Sequence, residues 1–194
     1  MIEVEVKAKI SHPNEIIKRL NTQTTFLKEI YQEDIYFNAP DRDFKKTDEA
    51  LRIRISSGED STLTYKGPKI GNLIDKTREE ISVKIKDQKT LQVIQVILEK
   101  IGFQPVAKVL KKRLLFRFND LYISIDFVKD LGEFIEVEVL VQTQKEIASE
   151  RSKILNFLEI LGVPFEDFER RSYLELLLNK RVFMRKKKIK ERII

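Results

Sequence analysis

Met1-Ile2-Glu3-Val4-Glu5-Val6-Lys7-Ala8-Lys9-Ile10 alternates apolar and charged side chains, the period-two signature of a β-strand. One face is Ile2, Val4, Val6, Ala8 and Ile10. The other lines up Glu3 and Glu5, then Lys7 and Lys9. A half-buried strand with an ordinary wet face would scatter mixed polar residues there. Two carboxylates two strand steps apart, roughly 7 Å, suit a hard divalent cation. A lysine just beyond suits an anion attached to that cation. The reading of the rest of the chain turns on whether other strands bring matching charges to the same place.

They do, in alternating stretches separated by turn signals. Residues 25–37 read as a strand. Ala50-Leu51-Arg52-Ile53-Arg54-Ile55 puts two arginines on one face, and Ser56-Ser57-Gly58-Glu59-Asp60 is a hairpin turn. Thr62-Leu63-Thr64-Tyr65-Lys66 alternates again, and in residues 78–85 Arg78, Glu80, Ser82 and Lys84 share a side. Residues 103–117 form a long strand with Lys111 and Arg113 in step. Residues 121–127 place Asp126 on the polar side, and Phe134-Ile135-Glu136-Val137-Glu138-Val139 closes the series. Helical spacing predicts helices over residues 13–21, 88–101, 143–161 and 166–179, with a polar loop from residue 38 to Glu49. No internal repeat is present. The hairpin-length turns argue for antiparallel pairing.

Two architectures fit this pattern. An open sheet would put each charged stripe in water. A closed eight-stranded antiparallel barrel would turn the charged stripes into a lumen and the apolar stripes toward flanking helices, an α+β fold. The stripe chemistry favours the barrel. Its lumen would gather Glu3, Glu5, Glu80, Asp126, Glu136 and Glu138 against Lys7, Arg52, Arg54, Lys66, Arg78, Lys84, Lys111 and Arg113. Unpaired burial of such charges is prohibitive. A solvated channel holding a polyanion and its metal relieves that cost. Arginines grip phosphate oxygens through two parallel bonds, and carboxylates reach phosphate only through a bridging Mg²⁺ or Mn²⁺.

Composition excludes other chemistries. The 194 residues hold no Cys, no Trp and one His, so thiolate zinc sites, disulfides and histidine-rich metal sites are out. The missing disulfides favour a cytoplasmic home. No apolar run is long enough to cross a membrane as a helix. The net charge of +6 is localised: residues 180–194 hold eight Lys or Arg against Glu191, leaving residues 1–179 at −1. The high pI therefore describes a basic tail, residues 180–194, appended to a single domain, residues 1–179. A tail of this charge would bind nucleic acid weakly and with steep salt dependence. Its plainer role is solubility or the docking of a homodimer.

These motifs, in this order, resemble the CYTH superfamily, the triphosphate tunnel metalloenzymes, which include class IV adenylyl cyclases, thiamine triphosphatases and tripolyphosphatases. The residues that carry the resemblance are Glu3-x-Glu5-x-Lys7, Asp34-Ile-Tyr36-Phe37, Leu51-Arg52-Ile53-Arg54 and Thr64-Tyr65-Lys66-Gly67-Pro68. Arg78-x-Glu80, Lys111-x-Arg113, Asp126 and the run from Leu131 to Glu138 follow, with Ser172-Tyr173 beyond. The resemblance implies an eight-stranded tunnel that binds a small-molecule triphosphate with Mg²⁺ or Mn²⁺. It makes Glu3, Glu5, Glu136 and Glu138 metal ligands. Lys7, Arg52, Arg54, Lys66, Arg78, Lys111 and Arg113 would hold phosphates, with Glu80 and Asp126 in support. Glu3, Glu5, Lys7 and Glu138 form the implied catalytic set. Three activities remain: triphosphate hydrolysis, cyclisation of ATP to cyclic AMP, and polyphosphate binding without turnover. With no histidine base, hydrolysis would need a carboxylate, a lysine of lowered pKa or metal-activated water.

Overall fold

The structure, a computed structural model, describes residues 2–70, 77–180 and 183. Residues 71–76 of the β4–β5 connection and most of the basic tail lie outside the described residues. The described strands are β1 (Ile2–Lys9), β2 (Thr25–Asn38), β3 (Ala50–Ser56), β4 (Ser61–Lys69), β5 (Arg78–Ile85), β6 (Gln104–Phe118), β7 (Leu121–Val128) and β8 (Gly132–Val141). They close into an antiparallel barrel in the order β1-β5-β4-β3-β2-β6-β7-β8. The barrel is the architecture adopted, and the open sheet is not. Helices α1 (Pro13–Gln23), α2 (Phe44–Thr47), α3 (Gln88–Lys100) and α4 (Ile147–Ile160) flank it, with α5 over residues 173–180.

The strand pleat sorts the charges as the alternation requires. On β1, Val4, Val6 and Ala8 face outward and are fully buried beneath α1 and α4, against Leu20, Ile154, Leu158 and Leu161. Burying each Val, Leu or Ile of this shell contributes about 1.5–3 kcal/mol, so the outer shell holds the barrel closed around a polar interior. A second outer cluster packs Leu91 and Leu98 of α3 and Phe44 of α2 on Ile35, Leu51 and Ile53. Gly102 ends α3 at φ +97°, where a Cβ would sit 2.9 Å from Pro40 Cβ, so only glycine fits this turn.

Three local expectations are corrected. Residues 38–49 are not all loop: Asp43 caps α2 by accepting from Lys45 N at 3.1 Å. The helix expected over 166–179 is shorter. Phe165–Asp167 is a 3-10 turn, Phe168 bridges Ala8 of β1, and Glu169 N donates to Lys7 O at 2.7 Å. That backbone is spent on the free edge of β1, so it cannot be helical. The helix begins after Ser172, whose Oγ accepts from Glu175 N at 3.1 Å while Glu175 Oε2 accepts from Ser172 N at 2.6 Å. This is the reciprocal capping box of the Ser172-x-x-Glu175 sequence. Lys84, assigned to the lumen by parity, lies at the far end of β5 and is exposed.

Candidate functional site: a charged cavity inside the barrel

The lumen holds a cavity of about 520 Å³ lined by Glu3, Glu5, Arg52, Arg54, Lys66, Arg78, Glu80, Lys111, Arg113, Glu136 and Glu138, among others. The register explains the convergence. Glu5 faces Glu138 and Lys7 faces Glu136 across β1 and β8, Glu3 faces Arg78 of β5, and Lys66 faces Glu80.

One wall is acidic. Glu3, Glu5 and Glu138 each offer a carboxylate oxygen, all within 4.8 Å of one another. Burial, then the charges of Glu3 and Glu5, push the Glu138 carboxyl up to about 8. Three carboxylates held so close repel unless a cation sits among them, so this donor set fits a hard divalent ion. Glu136, expected to join them, is instead held by Arg113, whose Nη2 lies 2.5 Å from its carboxylate.

The opposite wall is basic and built around a residue the sequence reading quoted but did not place in the site. Asp34 is fully buried and accepts from Arg54 Nε at 2.6 Å and Nη2 at 2.8 Å. Arg52 and Lys111 approach it at 3.7 Å and 3.9 Å. Burial would raise its pKa, but Arg54, Arg52 and Lys111 overcome this and hold the carboxyl far below the ordinary range. Asp34 therefore arrays three bases along one side of the cavity. The Arg52 Nε is buried without a hydrogen-bond partner among the described residues. Lys111 is pulled down to about 8 by burial and by Arg113 and Arg54, against the pull of Asp126 and Asp34. Asp126 binds Arg113 Nε at 2.7 Å and Nη2 at 2.6 Å. Lys66 bridges the walls, with Nζ 2.7 Å from both Glu3 and Glu80.

Helix α5 closes part of one end. Tyr173 is buried, donates its hydroxyl to Asp126 Oδ2 at 2.9 Å, and presents its ring to Lys7 Nζ at 4.2 Å. Lys7 in turn donates to the Arg171 carbonyl. Phe134 packs edge-on against the same ring. Tyr173 and Asp34 hold bases of the site in place and were absent from the candidate list. The Asp-x-Tyr alternation in β2 was the available signal for Asp34, since it matches the parity of the other charged stripes. The capping box before α5 was the signal for Tyr173.

A closed barrel with a carboxylate trio facing an array of bases defines a receptor for a polyanion and its cation. The chain belongs to the CYTH domain family, whose family model matches residues 1–173. Members of this family are enzymes, cyclases or triphosphatases, and generally act with divalent metals. A protein of Methanocaldococcus jannaschii is 43% identical over 177 residues, 91% of this chain and 98% of its own, and is provisionally named an adenylate cyclase. A solved structure from Pyrococcus horikoshii OT3 is also 43% identical, with TM-score 0.84 over 92% of this chain and 99% of that one. A Hippeastrum protein described as having a dominant triphosphatase activity shares the fold at 17% identity and TM-score 0.64, over 92% of this chain and 95% of its own. Among the described residues no helix is long and apolar enough to cross a membrane.

Proposed function

We propose that this chain is a divalent-metal-dependent triphosphatase that holds a small triphosphate in the barrel lumen. The observation that carries this reading is the pairing of the carboxylate trio with Arg52, Arg54, Lys66, Arg78, Lys111 and Arg113 along the lining of one cavity. Glu3, Glu5 and Glu138 would hold Mg²⁺ or Mn²⁺, with Glu136 engaged by Arg113. The bound ion would supply charge neutralisation on the phosphate chain and an activated water. Arg52, Arg54, Lys66, Arg78, Lys111 and Arg113 would grip the phosphoryl oxygens, with Lys7 at the end closed by Tyr173. Asp34, Asp126 and Glu80 keep those bases pointed inward. The rate gain would come from positioning and from electrostatics fixed before the substrate arrives. Lys111, pulled down to about 8 by burial and by Arg113 and Arg54, would be one group for proton exchange, beside a carboxylate or an ion-activated water.

Adenylyl cyclisation is the second reading. It is supported by the name of the 43% identical M. jannaschii protein and by apolar cavity-lining residues Phe37, Phe44, Val106, Leu174 and Leu178, surface that an adenine would need. Purified protein is offered tripolyphosphate, ATP and thiamine triphosphate with Mg²⁺ or Mn²⁺, and phosphate, pyrophosphate and cyclic AMP are all measured. Phosphate release supports hydrolysis. Cyclic AMP with pyrophosphate as main products sinks it in favour of the cyclase. Retained binding without turnover of any substrate would leave a polyphosphate-binding module.

A further inference from the structure

The barrel is closed by a short seam. β1 pairs with β8 along its whole length but with β5 only at Ile2–Glu79 and Glu3–Arg78. Beyond Glu79, no described strand pairs with that edge of β5. The phase of the ladder shows what the edge presents. Ile10 N donates to Glu133 O at 3.0 Å, and Lys7 O accepts from Glu169 N on the opposite side. Even residues of β1 therefore bond to β8, and odd residues point toward the β5 side. Glu3–Arg78 is then the bonded pair, which turns the N–H and C=O groups of even β5 residues toward the seam. Thr77 O, accepting from Ile70 N at 2.7 Å, confirms that odd residues bond to β4. Glu80, Ser82 and Lys84 thus project donors and acceptors from an open edge. Ile81 and Val83 are 59% and 56% exposed. Ser82 and Lys84 are exposed as well, although their parity is inward.

We propose that this edge pairs antiparallel with the same edge of a second copy, about a two-fold axis at Ser82. A two-fold perpendicular to the sheet keeps inner faces with inner faces, so only registers that set a residue opposite itself qualify. Centring on Glu80 opposes two glutamates, and centring on Lys84 opposes two lysines. Centring on Ile81 sets Glu80 against Ser82 and forms no opposite-charge pair, since the Arg78 edge is already bonded to Glu3. Centring on Val83 sets Glu80 against Lys86 and Ser82 against Lys84, but Ile81 then faces Ile85, which is already buried under α3. Centring on Ser82 pairs Glu80 with Lys84 twice and Ile81 with Val83 twice, opposite charges on the inner face and apolar residues on the outer. It also makes Glu80–Lys84, Ser82–Ser82 and Lys84–Glu80 the pairs that exchange both backbone bonds, using each group the edge leaves open. An exposed apolar edge of this kind is a template for strand addition, and it carries no proline or bulge to prevent it.

The test uses the full chain. Sedimentation equilibrium across micromolar concentrations is expected to show a dimer. Ser82→Pro removes a seam-facing N–H and no backbone bond to β4, with loss of the 2.9 Å bond between the Ser82 and Thr64 hydroxyls, and Lys84→Glu, which touches neither, sets like charges opposite. Each is expected to raise the dimer dissociation constant at least tenfold, with far-UV circular dichroism unchanged. If Ser82→Pro fails to fold, Lys84→Glu alone decides. The chain contains no cysteine, so Ser82→Cys gives a single thiol per copy. Bonded antiparallel partners sit about 5.5 Å apart at Cα, within disulfide reach. Mild oxidation is expected to cross-link Ser82→Cys and to leave the equally exposed Ser57→Cys monomeric on a non-reducing gel. A wild-type monomer throughout that concentration range, a dimer unmoved by Lys84→Glu, or equal cross-linking of the two cysteine variants would overturn the proposal.

Discussion

Replacing Asp34 by Asn tests whether the basic wall is held together by one buried carboxylate. The side chain is fully buried and takes two short bonds from Arg54, at 2.6 Å and 2.8 Å, with Lys111, itself 1% exposed, at 3.9 Å. Asn keeps the shape and one acceptor but removes the charge that Arg54, Arg52 and Lys111 share. Breaking a buried pair on one side costs about 3–5 kcal/mol, and the retained acceptor points to the low end, about 3 kcal/mol. For a chain of this size each kcal/mol moves the melting temperature by roughly 2–4 °C, so the expected loss is roughly 6–12 °C at pH 7. The pH sign follows from linkage. The folded pKa lies below the unfolded value near 4, so the stabilisation is complete above about pH 4 and fades as pH falls further. The gap between wild type and variant is expected to stay constant from pH 5 to 7 and to narrow below about 4. Tripolyphosphate with a chelator present supplies the missing negative charge, so its stabilising shift is expected to be larger in Asp34→Asn than in wild type. Scanning calorimetry reads both quantities. A gap under about 2 °C, or a ligand shift no larger than in wild type, would refute the account of Asp34 as the organiser of the wall.

Glu138→Gln relieves the crowding of three carboxylates, so the metal-free protein is expected to melt higher while the Mg²⁺-induced shift disappears; a retained shift would remove Glu138 from the ion site. The pair Glu3→Gln with Glu5→Gln is expected to lower metal-dependent turnover at least a hundredfold (about 2.7 kcal/mol) without loss of fold, and undiminished activity would make the pair structural. Tyr173→Phe deletes a hydroxyl that donates to a buried carboxylate, a bond worth about 1.5–3 kcal/mol, so melting is expected to fall by several degrees with far-UV circular dichroism unchanged. Lys111, near 8 in the folded chain, loses its charge as pH rises through that value, so tripolyphosphate affinity measured by calorimetry with chelator should fall from pH 7 to 9.5. Glu138, also near 8, gains a negative charge over the same range, so Lys111→Gln is expected to reduce that slope without abolishing it, and an unchanged slope would assign the titration to Glu138.

The barrel was legible because its strands obey one rule. Residues such as Val4, Val6 and Ala8 must be apolar to pack under α1 and α4, and the intervening Glu3, Glu5 and Lys7 then face the lumen by pleat alone. Period, turn signals and charge pairing therefore specify the architecture together. The finer site was less legible, because alternation gives a side chain its face but not its height along the barrel. Lys84 has the lumen parity yet emerges at the open end of β5, since the stagger of a closed barrel carries that end away from β1. Glu136 and Glu138 look equivalent in sequence, two carboxylates two strand steps apart. Their neighbours across the lumen separate them: Arg113 reaches Glu136, while Glu138 is left facing Glu3 and Glu5. The backbone from Phe168 to Arg171 reads as helical by composition. Its pairing with β1 is a tertiary bond that no local pattern encodes.

The charges of the lumen are not interchangeable, and their pairing gives the site its direction. On the basic side, Asp34 and Asp126 are committed to guanidinium forks, so they remain anchors whether or not a ligand is present. On the acidic side, Glu3, Glu5 and Glu138 repel one another and gain most from a cation. Lys66 stands between, shared by Glu3 and Glu80 at 2.7 Å each. A cation drawn to Glu3 weakens its hold on Lys66 and leaves that lysine available to an anion. Cation and polyanion should therefore strengthen each other's binding, by a factor within the usual range of about 5–150-fold, and by the same factor in either order of addition. The inventory of acids and bases visible in sequence contains every member of this arrangement except its organiser, Asp34. It does not distinguish the carboxylates that hold bases in place from those whose crowding calls for an ion. That distinction comes from which strands meet across the lumen.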